Sequence, residues 1–315
     1  MLSTHAIVRI NPDLSMLKDQ NTGRFVGVLD PTGERDTVWL NQEDAFLGVG
    51  TRRYVDFRTA ANGGMGSNTN DGRSWATAYA TMAFALAACS NYDTICYVGR
   101  CTESGLTSTL VGIQIIGGGP HSGSQCIWKP AADAVGITVH GKGWLFANFK
   151  AEPYPAQALI LAERNTAGTL DGSDMSIIGV EQNAGGLLLD AISVRQMTIL
   201  GVHGHDAGVA VIRCSDISHG EALRWKISGC RFMNNANHVI AKLTDSEISH
   251  NLFQAVGLSY TATTKLDTSG GDGRNIVTKN VMTGTYSVAG GYSDHANDYW
   301  YDNDISTGKT STNPA

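Results

Sequence analysis

The sequence predicts an all-β solenoid, in which short strands wind into stacked coils, because one phrase recurs along more than half of the chain. Between Trp144 and Ile305 an apolar residue is followed three places later by a turn-like residue, seven times in succession. The pairs are Leu145/Asn148, Ile177/Val180, Ile199/Val202, Ile227/Cys230, Ile248/Asn251, Val277/Asn280 and Trp300/Asn303. The steps between them are 32, 22, 28, 21, 29 and 23 residues, which indicates a repeat with loops of unequal length.

The phrases favour strands over helices. They are short, β-branched and alternating, as in Ile248–Phe253, whereas a helical repeat needs runs of about 10 residues with apolar positions three and four apart. A coil of roughly 22 to 30 residues cannot bury its apolar side alone, so it must stack on a copy of itself. Stacked coils lie about 4.8 Å apart, as neighbouring strands do. Equivalent positions therefore become neighbours in space.

The turn position of the phrase predicts a structural ladder of asparagines. Asparagine tolerates left-handed backbone at a bend, and its side chain can bond to the asparagine of the next coil. The predicted ladder consists of Asn148, Asn251, Asn280 and Asn303. It is interrupted by the apolar residues Val180, Val202 and Cys230.

The chain divides into three predicted parts. Residues 1–52 form a small β-rich unit, with strands at Ala6–Ile10, Arg24–Leu29 and Thr37–Leu40 between turn signals. Either this unit is a separate attachment unit or it is a lid over the first coil. Residues 53–305 form the coils, and residues 306–315 form a polar tail.

A helix is predicted at the start of the solenoid. Ser74 can cap a helix running from Trp75 to about Ala88, and its apolar residues fall at helical spacing. Such a helix would cover the open end of the first coil, whose exposed backbone groups would otherwise pair with another chain.

The repeated phrase and the stretch Asp71-Gly-Arg-Ser-Trp-Ala-Thr-Ala78 resemble the right-handed, single-stranded parallel β-helix of the pectate-lyase-like superfamily. The resemblance is strongest to the shafts of bacteriophage tailspikes, tail fibres and related virion proteins, and it covers about residues 54–305. It implies a homotrimer and a structural protein of the virion, used for host-surface attachment or receptor binding, in which residues 1–52 dock onto other tail or capsid proteins. The same fold carries enzymes, so a glycan depolymerase, either a polysaccharide lyase or a glycoside hydrolase, is an alternative. A capsid decoration or head-spike protein is another.

Composition and charge narrow the range of partners. The 315 residues carry a net charge of −6, which disfavours nucleic acid and anionic membranes. No run of 18 apolar residues occurs, and the opening Met1–Ala6 lacks the character of a signal peptide. We therefore expect a protein made in the host cytoplasm and assembled into a virion, without membrane insertion.

The position after the turn column supplies the candidate site residues. It is occupied in turn by Phe149, Glu181, His203, Arg231, Leu252, Val281 and Asp304. Glu181, His203 and Arg231 would lie on consecutive coils of one outward face, roughly 5 Å apart. The candidates near them in sequence are His205, Asp206, His219 and Glu221. This set could perform acid–base chemistry on a glycan, or hydrogen-bond sugar hydroxyls; the alternative is a solvated ladder of mixed charge.

No cofactor or metal is predicted. The sequence has no phosphate-binding loop and no zinc or serine-hydrolase motif. Asp190, Asp206 and Asp216 are separated by less than one coil, so the sequence does not assign them to one face. The six cysteines, which form no CxxC pair, are predicted to be small core residues: Cys89, Cys96, Cys101, Cys126, Cys214 and Cys230. A disulfide from Cys89 or Cys96 to Cys101 would be unusual in a reducing compartment.

Overall fold

The chain forms two compact units, Met1–Val49 and Gly50–Ala315. This computed structural model describes residues 5–11, 14–19, 25–29, 35–37, 50–118, 126–218, 222–255, 264–268, 272–284, 292–293, 296–305 and 308–310. None of the helices in these residues has both the length and the apolar character needed to cross a membrane.

The first unit contains an antiparallel sheet with strand order β1-β2-β3-β4. Its strands are β1 His5–Asn11, β2 Leu14–Asp19, β3 Phe25–Leu29 and β4 Arg35–Thr37. The sequence did not predict β2, which contains no β-branched or aromatic residue. The predicted strand Thr37–Leu40 overlaps β4 only at Thr37, and residues 38–40 lie outside the described part.

The second unit opens with β5, Arg52–Asp56, and short 3₁₀ turns at Ala60–Asn62 and Trp75–Thr77. The only α-helix among the described residues, α1, spans Met82–Ala88, so the prediction that it begins at Trp75 was wrong.

Two consecutive caps explain the later start of α1. The Ser74 side chain accepts a hydrogen bond from Thr77 N–H and caps a 3₁₀ turn that ends at Thr77. The Thr81 side chain accepts a hydrogen bond from Phe84 N–H and caps the N-terminus of α1. Between them, Tyr79 pairs with β5 instead of continuing a helix. Helix α1 buries Met82, Ala85 and Leu86 in the same core as the first coil strands.

The remaining strands follow one another at short intervals. They are β6 Thr94–Cys101, β7 Leu106–Ser108, β8 Gln114–Gly117, β9 Cys126–Trp128, β10 Ile137–Val139, β11 Leu145–Ala147, β12 Lys150–Ala151, β13 Ala158–Glu163, β14 Ser176–Ile178, β15 Glu181–Asn183, β16 Leu187–Ile192, β17 Thr198–Leu200, β18 His203–His205, β19 Ile212–Asp216, β20 Ala222–Leu223, β21 Lys226–Ser228, β22 Arg231–Met233, β23 Asn237–Ala241, β24 Leu243–Thr244, β25 Glu247–Ser249, β26 Leu252–Ala255, β27 Thr264–Asp267, β28 Ile276–Thr278, β29 Val281–Gly284, β30 Tyr292–Ser293, β31 Tyr299–Tyr301, β32 Asn303–Ile305 and β33 Gly308–Thr310.

Most of these strands form three long parallel sheets, which we call sheets I, II and III, while β20 and β24 pair only with each other. Sheet I contains β5, β8, β11, β14, β17, β21, β25, β28 and β31; sheet II contains β9, β12, β15, β18, β22, β26, β29 and β32; sheet III contains β7, β10, β13, β16, β19, β23, β27 and β30. Strand β6 belongs to both I and II because it bends at Gly99, which has a φ of 89°. Strand β33 pairs antiparallel with β32. The second unit is therefore a right-handed parallel β-helix, as predicted.

Each coil stacks on the next in phase. The register aligns Ile177, Ile199, Ile227, Ile248, Val277 and Trp300. At the first phrase, however, Phe146 and not Leu145 pairs with Ile177. Phe149 therefore occupies the turn column, and Asn148 stands one place before it. Asn148 is left-handed, with a φ of 59°, as are the glycines at this place in the following coils, Gly179, Gly201 and Gly229.

Buried amides replace apolar side chains in the later coils. Asn251, Asn280 and Asn303 lie one above the other. Asn251 Nδ2 donates to Asn280 Oδ1, and Asn280 Nδ2 donates to Asn303 Oδ1, each at 3.0 Å. A second amide, Asn275, donates to Asp298 and accepts from Ser246 N–H on the other side of the sheet I strands. The core is thus apolar at both edges of sheet I in the early coils and hydrogen-bonded at both edges in the late ones.

Candidate functional site

The candidate site lies on the outer face of sheet II. Side chains two places apart on a strand share a face, so this face carries two parallel columns. The first column contains Ile127, Lys150, Glu181, His203 and Arg231, which are successive register partners. Two places later, the second contains Lys129, Glu152, Asn183, His205 and Met233. We call these ten residues the site face; five coils give it a length of roughly 20 Å.

A groove runs beside the site face, where the sheet II strands turn toward sheet III. Its volume is about 690 Å³. It is lined by Arg100, Thr102, Lys129, Pro130, Ala131, Glu152, Pro153, Tyr154, Pro155, Asn183, Ala184 and Gly185. Asn183 connects the groove to the rest of the site face, because its register partner on the next strand is His205.

One end of the site face is basic. The carboxylate of Glu152 lies 3.0 Å from Lys129 Nζ, 3.4 Å from Lys150 Nζ and 3.3 Å from Arg100 Nη2. Burial alone would raise the pKa of Glu152, but the hydrogen bond from Lys129 and the two lysine charges outweigh it and lower this pKa. Three cations share one carboxylate, and the side chains of Arg100 and Lys129 are about half exposed. This end can therefore bind a further anion.

An imidazole between two carboxylates forms the centre of the site face. His205 Nδ1 lies 2.9 Å from Asp206 Oδ2, and His205 Nε2 lies 3.3 Å from Glu181 Oε1. A neutral imidazole can donate to only one of these carboxylates, whereas an imidazolium donates to both. The three side chains can thus exchange a proton among themselves or with a bound molecule.

His203 adds a second imidazole, with its ring centroid 5.1 Å from that of His205. Burial lowers the pKa of His203, the charges of His205 and Arg231 lower it further, and Glu181 opposes them. Its Nε2 atom is buried and has no hydrogen-bond partner among the residues that the structure describes. The lowered pKa favours the neutral imidazole, and because Nε2 is buried, the other ring nitrogen, Nδ1, is the one that could accept a proton from a bound molecule.

Gly204 explains why two histidines can stand two places apart on this strand. Its own position faces the core, where an added Cβ would lie 2.6 Å from the side chain of Val211. The histidines on either side consequently face outward together.

The structure brings together most of the predicted site residues. Glu181, His203 and Arg231 are register partners on consecutive strands, and His205 and Asp206 contact Glu181 directly or through each other. The position assigned to Phe149 belongs to Lys150. His219 and Glu221 lie outside the described residues.

A second charged cluster, on the outer face of sheet III, was not predicted. Arg213 donates to both carboxylate oxygens of Asp190, at 3.0 and 2.6 Å. Two coils earlier, His140 Nε2 lies 2.6 Å from Glu163 Oε2. These groups satisfy one another in pairs, so the cluster is less open to a ligand than the site face. Asp190 lies on sheet III, in β16, whereas Asp206 lies in the turn after β18 of sheet II, so they do not share a face.

Neither metal nor thiol chemistry is indicated within the described part of the chain. It contains no group of three His, Cys, Asp or Glu side chains placed to hold a metal ion. All six cysteines are free. Burial raises the pKa of Cys89 to about 12 and those of Cys126 and Cys230 to about 11, which leaves these thiols protonated and unreactive.

Comparison with known proteins supports the fold. No family model matches the sequence, and no curated protein matches it. Among solved structures, the chain is similar to pectate lyase Pel9A, with a TM-score of 0.52 and 11% identity over 84% of this chain and 80% of that one. It also matches a rhamnogalacturonan lyase, with a TM-score of 0.47 and 12% identity over 75% of each chain. The similarity to pectate lyase Pel9A supports the parallel β-helix fold, and at this identity it concerns the fold alone.

Proposed function

We propose that this protein binds an acidic glycan along the site face and cleaves it by acid–base chemistry. The observation that carries the proposal is the position of the basic groove beside the Glu181–His205–Asp206 contacts on one continuous strand face. An extended glycan fits a shallow face of roughly 20 Å, and Tyr154 and three prolines supply apolar contact for sugar rings.

The residues of the groove and the site face have two proposed roles, binding of an anionic sugar and proton transfer. Arg100, Lys129 and Lys150 would bind the anionic substituent of a sugar, since Glu152 neutralises only one of the three cations. Neutral His203 and the Glu181–His205–Asp206 set would transfer protons at the glycosidic linkage or at a sugar carbon beside a carboxylate. Elimination and hydrolysis both need such groups, and their products distinguish them.

Cleavage is tested by incubating the full chain with acidic and neutral polysaccharides and measuring new reducing ends and unsaturated uronates. We expect release from acidic chains only, with unsaturated products if the reaction is an elimination. Glu181→Gln and His205→Gln should lower the rate at least roughly a hundredfold, in line with the loss of an acid–base group. Glu247→Gln is the matched control, because Glu247 is a surface carboxylate on sheet I that pairs with Lys226. Absence of cleavage across the panel would refute the proposal.

We further propose that the protein works as part of a bacteriophage particle, as a tailspike or tail-fibre β-helix that attaches to the host surface. The antiparallel sheet of strands β1–β4 supports this placement, because a small β-unit of this kind can dock onto virion proteins. Antibody labelling in electron micrographs of particles tests it. Label on the tail supports attachment, label on the head favours a decoration protein, and no label on any particle refutes it.

We also propose that the protein assembles as a homotrimer. Sedimentation equilibrium of the full chain would give three times the chain mass, and a monomer at micromolar concentration would contradict the trimer.

A further inference from the structure

A fully buried asparagine lies directly behind the centre of the site face. Asn235 is one coil later than the turn that carries His205 and Asp206. Its Nδ2 group donates to Gly204 O at 3.0 Å, and its Oδ1 atom accepts from Ala207 N–H at 2.8 Å. One side chain therefore connects the two ends of the segment 204–207.

That segment needs support, because Asp206 has a φ of 59°. The left-handed region is unfavourable for residues other than glycine, and it persists where the surroundings enforce it. The Asp206 N–H donates to Met233 O at 3.2 Å, and Ala207 O accepts from Ala236 N–H at 2.8 Å. The Asn235 side chain adds the contacts on either side of Asp206, so it sets the direction in which the Asp206 carboxylate meets His205.

The Asn235 amide is itself fixed in one orientation. Its Nδ2 group lies 2.9 Å from His238 Nδ1. Because an amide nitrogen only donates, Nδ1 of His238 must accept, and the Oδ1 atom must face Ala207. The His238 ring is buried beside the stacked rings of Phe232 and Phe253, with centroid distances of 6.2 and 5.9 Å. The amide cannot rotate without losing all three bonds.

We infer that Asn235 is a positioning residue, which orients Asp206 and His205 for the reaction without touching the glycan. This inference rests on the proposed function. It distinguishes Asn235 from Asn275, a buried amide of similar bonding whose backbone partners, Leu243 and Ser246, belong to no part of the site face.

Asn235→Ala tests the inference, with Asn275→Ala as the matched control. We expect Asn235→Ala to lower kcat roughly ten- to a hundredfold, as small displacements of catalytic groups do, with KM changed by less than about threefold. The amide of Ala207 should exchange with solvent at least about tenfold faster, because it loses its buried acceptor. Asn275→Ala should lower the thermal midpoint similarly but leave kcat within about twofold and the Ala207 amide protected.

A second variant covers the case in which Asn235→Ala does not fold. Asn235→Asp keeps an acceptor for Ala207 N–H and loses both donors, so kcat should fall by less than about tenfold from the wild-type value and the Ala207 amide should stay protected. A fall of about a hundredfold or more with the Ala207 amide still protected would overturn the inference. Equal loss of kcat in Asn235→Ala and Asn275→Ala, or unchanged exchange of Ala207 in Asn235→Ala, would overturn the inference.

Failure of the proposed function gives a different result. If the wild-type protein cleaves no glycan, cleavage is refuted. The positioning role of Asn235 is then tested without substrate, by measuring the hydrogen exchange of the Ala207 amide and the NMR chemical shifts of the His205 imidazole nitrogens. Changes in both that are specific to Asn235→Ala support a positioning role, whereas unchanged values contradict it.

Discussion

Replacing Asn280 by alanine should cause a large loss of stability. Asn280 is fully buried. Its Oδ1 atom accepts from both the backbone N–H and the Nδ2 group of Asn251, each at 3.0 Å, and its Nδ2 group donates to Ile248 O and Asn303 Oδ1. It is the middle rung of the ladder, so its loss affects the coils on both sides.

The magnitude follows from the groups left without partners. Asn303 Oδ1 would still accept from the backbone N–H of residue 280, whereas Ile248 O would lose the Nδ2 donor of Asn280. The two Asn251 donors would lose their acceptor, and each buried unsatisfied group costs about 1–3 kcal/mol. We therefore expect Asn280→Ala to lower the free energy of unfolding by about 4 kcal/mol, near the upper limit for single substitutions.

Val180→Ala is the matched control, because Val180 occupies the same column in an apolar coil and is also buried. Removing its two methyl groups should cost about 2 kcal/mol, from lost burial and a small cavity. Urea unfolding followed by circular dichroism measures both variants. If Asn280→Ala lowers the free energy of unfolding no more than Val180→Ala does, the asparagine ladder is not a main source of stability in the late coils.

Three further predictions concern pH and packing. The cations around Glu152 lower its pKa below 4.5, so its contribution to stability is present above pH 4.5 and is lost as the pH falls through the lower folded-state value. In urea titrations below pH 4.5, Glu152→Gln should therefore lose less stability than wild type. Parallel stability curves for the two proteins would contradict this. Burial keeps the pKa of His203 below 6.5, so the acidic limb of the pH profile of kcat/KM should have its midpoint below pH 6.5. Arg231→Gln removes a positive charge near His203 and should move this midpoint upward. An unchanged midpoint in Arg231→Gln would exclude His203 as the base. Gly204→Ala should destabilise the protein by about 1–3 kcal/mol through overpacking against Val211. An unchanged thermal midpoint would show that the strand accommodates the added methyl group without loss of stability.

The fold was predictable because the coil repeat is written in buried β-branched residues. Ile177, Ile199, Ile227 and Ile248 are all fully buried and in register. The phrase slipped by one residue at Phe146, where Trp144, Leu145 and Phe146 form an apolar run and only the structure shows that Leu145 faces outward. Local apolar character does not determine phase when both faces of a strand carry apolar residues.

That slip also concealed the basic end of the site face. With Phe146 in phase, the position after the turn column is Lys150, which contacts Glu152. Arg100 was out of reach for a different reason, since it lies 52 residues before Glu152 and meets it only through coils of unequal length.

The sequence does not indicate that the Asn235 side chain is buried and hydrogen-bonded behind the site face. Nothing distinguishes it from the adjacent Asn234, which is left-handed with a φ of 50°. Which of the two amides faces the core depends on where the turn bends, and hence on the stacking of neighbouring coils.

Recognition of an acidic glycan by the site face can be measured as binding, separately from cleavage. Its most direct test is the equilibrium affinity of the full chain for an acidic oligosaccharide and for its carboxyl-reduced counterpart, measured by calorimetry with wild type and with the double variant Arg100→Gln/Lys129→Gln. We expect at least about tenfold tighter binding of the acidic form, equivalent to about 1.4 kcal/mol, with this preference reduced by salt and lost in the double variant. Equal affinity for the two oligosaccharides, or an acidic preference that survives in the double variant, would contradict it.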